Sequence, residues 1–327
     1  MAAREPSLLV TGAAGFIGSR FVASCNARGV PVISVDDPRH FADRPEHREI
    51  EFGEVVHYER LPERLGASPA ALSGIVHLGA CTSTTELDVA FLRRVNLEYS
   101  QKLWDFCTTK RVPLVYASSA ATYGDGSLGY DDDEALLSQL RPLNPYGDSK
   151  QQFDLWALAR EREGHSPPAW SGFKFFNVYG FGERHKGPMA SVVLHAFDQI
   201  RAVGEVKLFK SARPDFADGE QRRDFVYVDD VVDVLHFARS SGLPRGIFNL
   251  GTGRARTFLD LVRATFAAMG AEERIRFIEM PEGLAERYQY FTEARMERLR
   301  EVGYRRPFTS LEEGVRAYVK LLEDALA

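Results

Sequence analysis

Cysteine is scarce in this sequence: Cys25, Cys81 and Cys107 are the only three in 327 residues, far apart and with no Cys-x-x-Cys pair. That excludes a disulfide framework and a cysteine zinc cluster, suits a reducing compartment, and leaves no metal site expected. A basic surplus is missing too. Lys and Arg number 41 against 46 Asp and Glu, a formal charge of −5, so no cationic face is offered to nucleic acid or an anionic membrane. No run of 18 apolar residues exists to span a membrane, and the start shows no signal-peptide pattern. The expected location is the cytoplasm. Internal repeats and low-complexity segments are absent as well. The one acidic run, Asp131 to Glu134, reads as a solvated loop.

What the sequence does contain is an alternation of short apolar runs with longer helical patterns, the signature of a parallel sheet flanked by helices. Strands are expected at Ser7–Thr11, Pro31–Asp36, Ile75–Gly79, Pro113–Ser118 and Phe173–Phe176. Their two-sided apolar character says that both sheet faces are covered. Residues 37 to 66, rich in Arg, Glu and Pro, resist assignment. After about residue 180 the rhythm loosens, with helical patterns near 190–203, 257–269 and 310–326. The fold class expected is α/β, a Rossmann-type doubly wound parallel sheet with a smaller, mostly C-terminal substrate domain. Residues 1–180 would form the dinucleotide-binding part, with pieces of 224–256 returning to it. Residues 181–327 would mostly bind substrate.

Between the first strand and its helix lies Thr11-Gly12-Ala13-Ala14-Gly15-Phe16-Ile17-Gly18. Gly12, Gly15 and Gly18 suit a tight turn, close approach of a pyrophosphate and close helix packing, and the helix N-terminus supplies amide donors. Glycines alone are a weak signal. The preceding strand, the following helix and the acid closing the second strand, Asp36, make it a stronger one. Asp36 is placed to accept from adenosine ribose hydroxyls, which favours NAD. Arg39 and Arg44 follow closely and can neutralise a 2′-phosphate, which favours NADP. On the residues alone the choice stays open.

Tyr146-Gly147-Asp148-Ser149-Lys150 follows Ser118-Ser119 at the end of a strand. Tyrosine and lysine four apart share a helix face. A neighbouring ammonium is expected to lower the tyrosine pKa from ~10 toward neutrality. Tyr146 then serves as proton donor and acceptor at a carbinol carbon, and Ser119 holds the developing oxyanion.

The set TGAAGFIGS, YASSAATYG, PLNPYGDSK and FKFFNVYG resembles the extended short-chain dehydrogenase/reductases. The blocks GACTSTTE (79–86), SSAATYGDG (118–126), HKGPMASVV (185–193), RRDFVYVDDV (222–231), FNLGTGRA (248–255) and RYQYFT (287–292) narrow the resemblance to the sugar-nucleotide 6-epimerases of ADP-linked heptose. That resemblance implies a recycled nicotinamide cofactor, with NADP preferred and NAD possible, and a homo-oligomer. It also implies cofactor contacts from Phe16, Ile17, Asp36, Asp37, Leu78, Gly79, Ala80, Cys81, Thr82, Asn96, Lys150 and Val178. Substrate contacts would come from Ser119, Asn177, His195, Phe209, Arg223 and Tyr288, and the two acid/base groups would be Tyr146 and Lys186.

By itself Lys186 reads as a loop lysine, His195 equally as a core-edge histidine, and Tyr288 as a packing aromatic. Arg223 is different, since a guanidinium fork matches phosphate geometry. The chain departs from the family at Pro38 to Phe41, where a lysine-bearing loop is usual, at Pro188, where a serine is expected, and in the extra residues Arg213 to Gln221. Rival readings are a 4-epimerase with the same Ser/Tyr/Lys set and a non-catalytic dinucleotide sensor. A 4,6-dehydratase fits poorly, because Ala120 and Ala121 cannot transfer protons where that chemistry needs an acid and a base.

Overall fold

The computed structural model describes residues 6–67, 71–240, 245–281 and 288–326. Seven parallel strands form the central sheet, in the order Gly246–Leu250, Trp170–Phe175, Leu114–Ser119, Leu72–His77, Ser7–Thr11, Val32–Asp36, Glu54–His57. The chain runs outward from Ser7–Thr11 in one direction, then crosses back to Leu72–His77 on its other side. The carboxyl ends of these two strands therefore border a crevice at the point where the strand order reverses. Leu8, Leu9, Val10, Ile75, Val76 and Leu114 are almost fully buried, because helices cover both faces.

Glu54–His57, which sequence patterning does not reveal, is a short edge strand with Glu54 and Val55 exposed. Its polar, half-wet character suits an edge and hides it from a search for apolar runs. The long helix expected before Lys110 is three pieces, Val89–Leu92, a π-helical turn Arg93–Glu98, and Tyr99–Lys110. Residues 131–134 are not the expected solvated loop. Asp132 is buried and accepts from the Asn249 backbone N–H at 2.7 Å. Glu134 meets the Ile247 N–H and Arg298. These acids satisfy the outer edge of the sheet at Gly246–Leu250, which would otherwise expose unpaired amides.

A second hydrophobic cluster lies beyond the carboxyl ends, built from the helices Val192–Val203, Phe258–Ala268 and Leu311–Asp324. A parallel pair, Val206–Phe209 with Ile275–Ile278, and a three-stranded sheet of Ala255–Thr257, Arg222–Tyr227 and Asn177–Tyr179 complete this part. Phe16, the first residue of the helix Phe16–Ala27, packs into this second cluster, and Ile17 and Val178 pack against both clusters. The glycine turn thus forms the seam between the two parts.

Candidate active site

Gly12 has φ +68°, and a Cβ there would lie 2.6 Å from the Gly79 nitrogen. A Cβ at Gly18 would lie 1.9 Å from the Gly12 carbonyl oxygen, so both positions demand glycine. At Gly15 the same Cβ meets only the Gly12 carbonyl, at 3.1 Å and beyond. Apart from that carbonyl, the space beside Gly15 is open. The helix opening at Phe16 has no side-chain cap and no acidic residue in its first turn, so its free amides suit an anion.

Asp36, at the end of the second strand, accepts from the Ala14 N–H at 3.1 Å and the Asp37 N–H at 2.8 Å, and meets His40 Nδ1 at 3.1 Å. Arg39 turns onto Asp37, its Nε bridging both carboxylate oxygens at 3.0 and 3.1 Å. That guanidinium holds the Asp37 carboxyl well below the usual range. Arg44 is half-buried, donates to the Ala14 carbonyl of the glycine turn, and makes no ion pair among the described residues. These residues suit a dinucleotide: acceptors for ribose, free amides and a cation for phosphate.

The strip Leu78 to Thr82 is tied down at both ends. Leu78 N–H donates to the Thr11 carbonyl at 3.1 Å and Gly79 N–H to Thr11 Oγ1 at 3.1 Å. Buried Asn96, in the π-helical turn, brackets Cys81: Oδ1 accepts from its N–H at 2.9 Å and Nδ2 donates to its carbonyl at 3.0 Å. The same Nδ2 donates to Ser149 Oγ at 3.0 Å, which donates to the Tyr146 carbonyl at 2.7 Å. A π turn widens the helix locally and is common at functional sites. Here it aims Asn96 between the strip Leu78 to Thr82 and the helix that carries Tyr146 and Ser149.

His77 escapes sequence reasoning. It closes the strand Leu72–His77, with Nδ1 2.6 Å from Thr11 Oγ1 and Nε2 2.8 Å from Ser100 Oγ. Burial pushes it down to about 3, with the Lys150 charge adding to the effect, so it is neutral and acts as a strut under the glycine turn. A histidine inside an apolar strand beside such a turn was the available signal.

Asn144 caps the helix Pro145–Arg162, accepting from the Gly147 N–H at 2.8 Å, and Pro145 sits in its first turn. That start fixes Tyr146 and Lys150 on one face. Both are buried. The expected lowering of Tyr146 by Lys150 is not what the structure has. Burial dominates and raises the phenol, opposed by a hydrogen bond with Ser119, while Lys150 is not among the influences on it. The ammonium instead donates to the Ala117 carbonyl at 3.0 Å, and burial lowers Lys150 to about 8 against the charge of Asp154. Tyr146 is thus held protonated, as a donor. Ser119 Oγ accepts from the Ala121 N–H at 3.1 Å, which fixes the hydroxyl at the strand end.

Lys186 lies in the turn Arg184–Met189, with Nζ 3.6 Å from buried Glu183 and 5.3 Å from the centroid of the Phe16 ring. The turn is held because Glu183 accepts from the Ser191 N–H and hydroxyl. Pro188, in the position of the expected serine, is exposed. Arg223, only 7 % exposed, lies 5.1 Å from the Tyr288 ring and 5.7 Å from the Phe258 ring. Its Nη1 donates to the Arg222 carbonyl, and it has no ion pair among the described residues. A buried guanidinium without a carboxylate is costly unless an anion joins it. Asn177 opens its strand exposed, while Phe209 closes Val206–Phe209 and His195 stands in the first turn of its helix, both half-buried. Arg287, which opens the block 287–292, lies outside the described residues. No group of three or more His, Cys, Asp or Glu that could hold a metal occurs among the described residues, and none of their helices is long and apolar enough to cross a membrane.

The profile of the NAD dependent epimerase/dehydratase family matches residues 8–251. The chain is 47% identical over 324 residues to the ADP-L-glycero-D-manno-heptose-6-epimerase of Fusobacterium nucleatum subsp. nucleatum, covering 96% of this chain and 97% of that one. Among solved structures, the Helicobacter pylori ADP-L-glycero-D-manno-heptose-6-epimerase superposes with TM-score 0.81 at 27% identity, covering 98% and 97%. A Thermus thermophilus UDP-glucose 4-epimerase complex with NAD gives TM-score 0.76 at 25% identity, covering 97% and 99%. The chain belongs to the NAD dependent epimerase/dehydratase family, on the branch of the ADP-L-glycero-D-manno-heptose-6-epimerases.

Proposed function

We propose that this enzyme inverts C6 of ADP-D-glycero-D-manno-heptose, giving the L epimer through a transient 6-ketone. The observation that supports the reading is that two side chains able to transfer protons, buried Tyr146 and half-buried Lys186, stand on separate elements. Tyr146 comes from the central sheet's helix, and Lys186 from a turn lying over Phe16. A nicotinamide dinucleotide held at the glycine turn and Asp36 would supply removal and return of hydride at C6. Tyr146 exchanges a proton with O6 in one orientation of the sugar, and Ser119 donates to the same oxygen as charge develops. Lys150 fixes the phenol end of the helix through the Ala117 carbonyl. After the exocyclic carbon turns about its single bond, Lys186 exchanges the proton on the opposite side. Arg223 takes the diphosphate, with Tyr288 as its stacking partner.

The dinucleotide in this reading is NADP. Arg44, half-buried beside Asp36 and without an ion pair among the described residues, is the cation for the 2′-phosphate, with Arg39 beyond it. Incubation of purified protein with ADP-D-glycero-D-manno-heptose, followed by proton NMR, tests the function. Appearance of the L epimer with no added cofactor is expected. No conversion overturns the reading, and inversion at a ring carbon instead would make this a 4-epimerase.

A further inference from the structure

Directly behind the catalytic groups lies a charged pair with no solvent access. Lys174, fully buried, and Asp154, 0 % exposed, are 2.7 Å apart. Asp154 is on the helix Pro145–Arg162, four residues beyond Lys150 and eight beyond Tyr146, so all three share one face. Lys174 is on the strand Trp170–Phe175 and pairs in register with Ser118. The pair grips the catalytic strand end from both sides. Ser118 Oγ donates to Asp154 Oδ2 at 2.7 Å, and Tyr116 OH to Oδ1 at 3.1 Å. Lys174 Nζ donates to Thr122 Oγ1 at 2.7 Å, and Thr122 in turn donates to the Ser119 carbonyl at 2.8 Å. Ser119 is thereby held through its neighbour on one side and its own carbonyl on the other.

Stability does not explain such a pair. Removing two charges from water costs about what their attraction returns, and apolar replacements of similar volume are often as stable or more so. We propose that Asp154 and Lys174 are positioning residues that hold Ser119 and the Lys150-accepting carbonyl of Ala117 in register with Tyr146. The proposal rests on the catalytic reading above.

The pair is also oriented. Its acidic end stands on the catalytic helix itself: the charge of Asp154 raises both Lys150 and Tyr146, while Lys174 is not among the influences on either. The other groups facing them are Cys81, which raises both, Ser119, which lowers Tyr146, and His77, held neutral across from Lys150. Around Asp154 itself stand Lys174, Tyr116, Ser118 and, more distantly, Tyr123. Removing both charges takes away one of the charges that favour the protonated forms of Lys150 and, more weakly, of Tyr146.

The experiment uses the full-length enzyme with its bound cofactor and an Asp154→Leu/Lys174→Met double variant, which leaves no orphan charge. The expected result is a folded protein that retains dinucleotide and KM within about threefold. Its kcat falls by ~10-fold or more, the scale on which slight misplacement acts. The alkaline limb of its pH–rate profile moves to lower pH, which a merely structural role would not do. If the double variant does not fold, Thr122→Val, which cuts the Lys174–Ser119 link alone, decides by the same fall in kcat at unchanged KM. Parent-like kcat and pH profile in the folded double variant, or parent-like kcat in Thr122→Val, overturns the proposal. A parent enzyme that does not epimerise overturns the catalytic reading and this proposal with it.

Discussion

Lys186 stands over the ring of Phe16, 5.3 Å from its centroid, so the turn that carries the proposed second proton-transfer group touches the first helical residue after the glycine turn. Inverting a carbinol centre through a ketone needs proton exchange with the oxygen in two orientations, and one fixed group serves only one of them well. Lys186→Met and Tyr146→Phe should each lower epimerisation by at least ~10²-fold, the usual scale of acid/base catalysis. A substrate analogue with an aldehyde at C6 can be oxidised and reduced without choosing a face. Each single variant should keep part of that reaction and the double variant none. Parent-like epimerisation by Lys186→Met would make the lysine a bystander.

The alkaline limb of kcat/KM should lie near the lowered value of Lys150. Burial disfavours its charged form, so the ammonium is lost as pH rises through about 8 rather than through its ordinary range. Turnover should therefore decline above pH 8 in a profile measured from pH 6 to 10. A flat profile across that window would mean that Lys150 does not govern it.

Arg44→Ala should weaken binding of NADPH by ~10-fold or more while leaving NADH nearly unchanged, the scale of one charge-assisted hydrogen bond. Asp36→Ala should do the reverse, because that carboxylate suits ribose hydroxyls and opposes a phosphate. Fluorescence titration of cofactor-stripped protein with each reduced dinucleotide measures both. Equal losses with Arg44→Ala would remove it from the 2′-phosphate.

His77→Leu takes one hydrogen-bond partner from each of the buried hydroxyls of Thr11 and Ser100 and should cost ~1–3 kcal/mol of stability in urea unfolding. The pH dependence has a definite sign. The folded value, about 3, is below the ordinary 6.5, so the unfolded chain binds the proton more readily. The contribution of His77 is complete above pH 6.5 and falls away as pH drops from there toward 3. The gap in stability between parent and variant should narrow from pH 7 to pH 4. A gap that stays constant would mean that His77 does not titrate on unfolding.

Much of the site is legible in one dimension because its chemistry depends on neighbours in sequence. The glycine spacing, Asp36 at a strand end, and Tyr146 with Lys150 on one helical face follow from turn, strand and helix periodicities alone. Asp132 and Glu134 read as solvated in the sequence because four consecutive acids look like a loop. Their partners, Asn249, Ile247 and Arg298, lie more than a hundred residues away along the chain. The strand Glu54–His57 stayed hidden because an edge strand need not be apolar.

The sequence by itself determined the parallel sheet, the dinucleotide turn and the identity of the tyrosine, lysine and serine, since each is set by local spacing and side-chain type. Only the tertiary structure decided the protonation of these groups and the company they keep. Arg39 is drawn to Asp37 rather than outward, and Tyr146 is raised instead of lowered. Asp154 pairs with a lysine twenty residues on. Desolvation and charge pairing depend on which surfaces meet across the fold, and those distances appear only once the chain is folded.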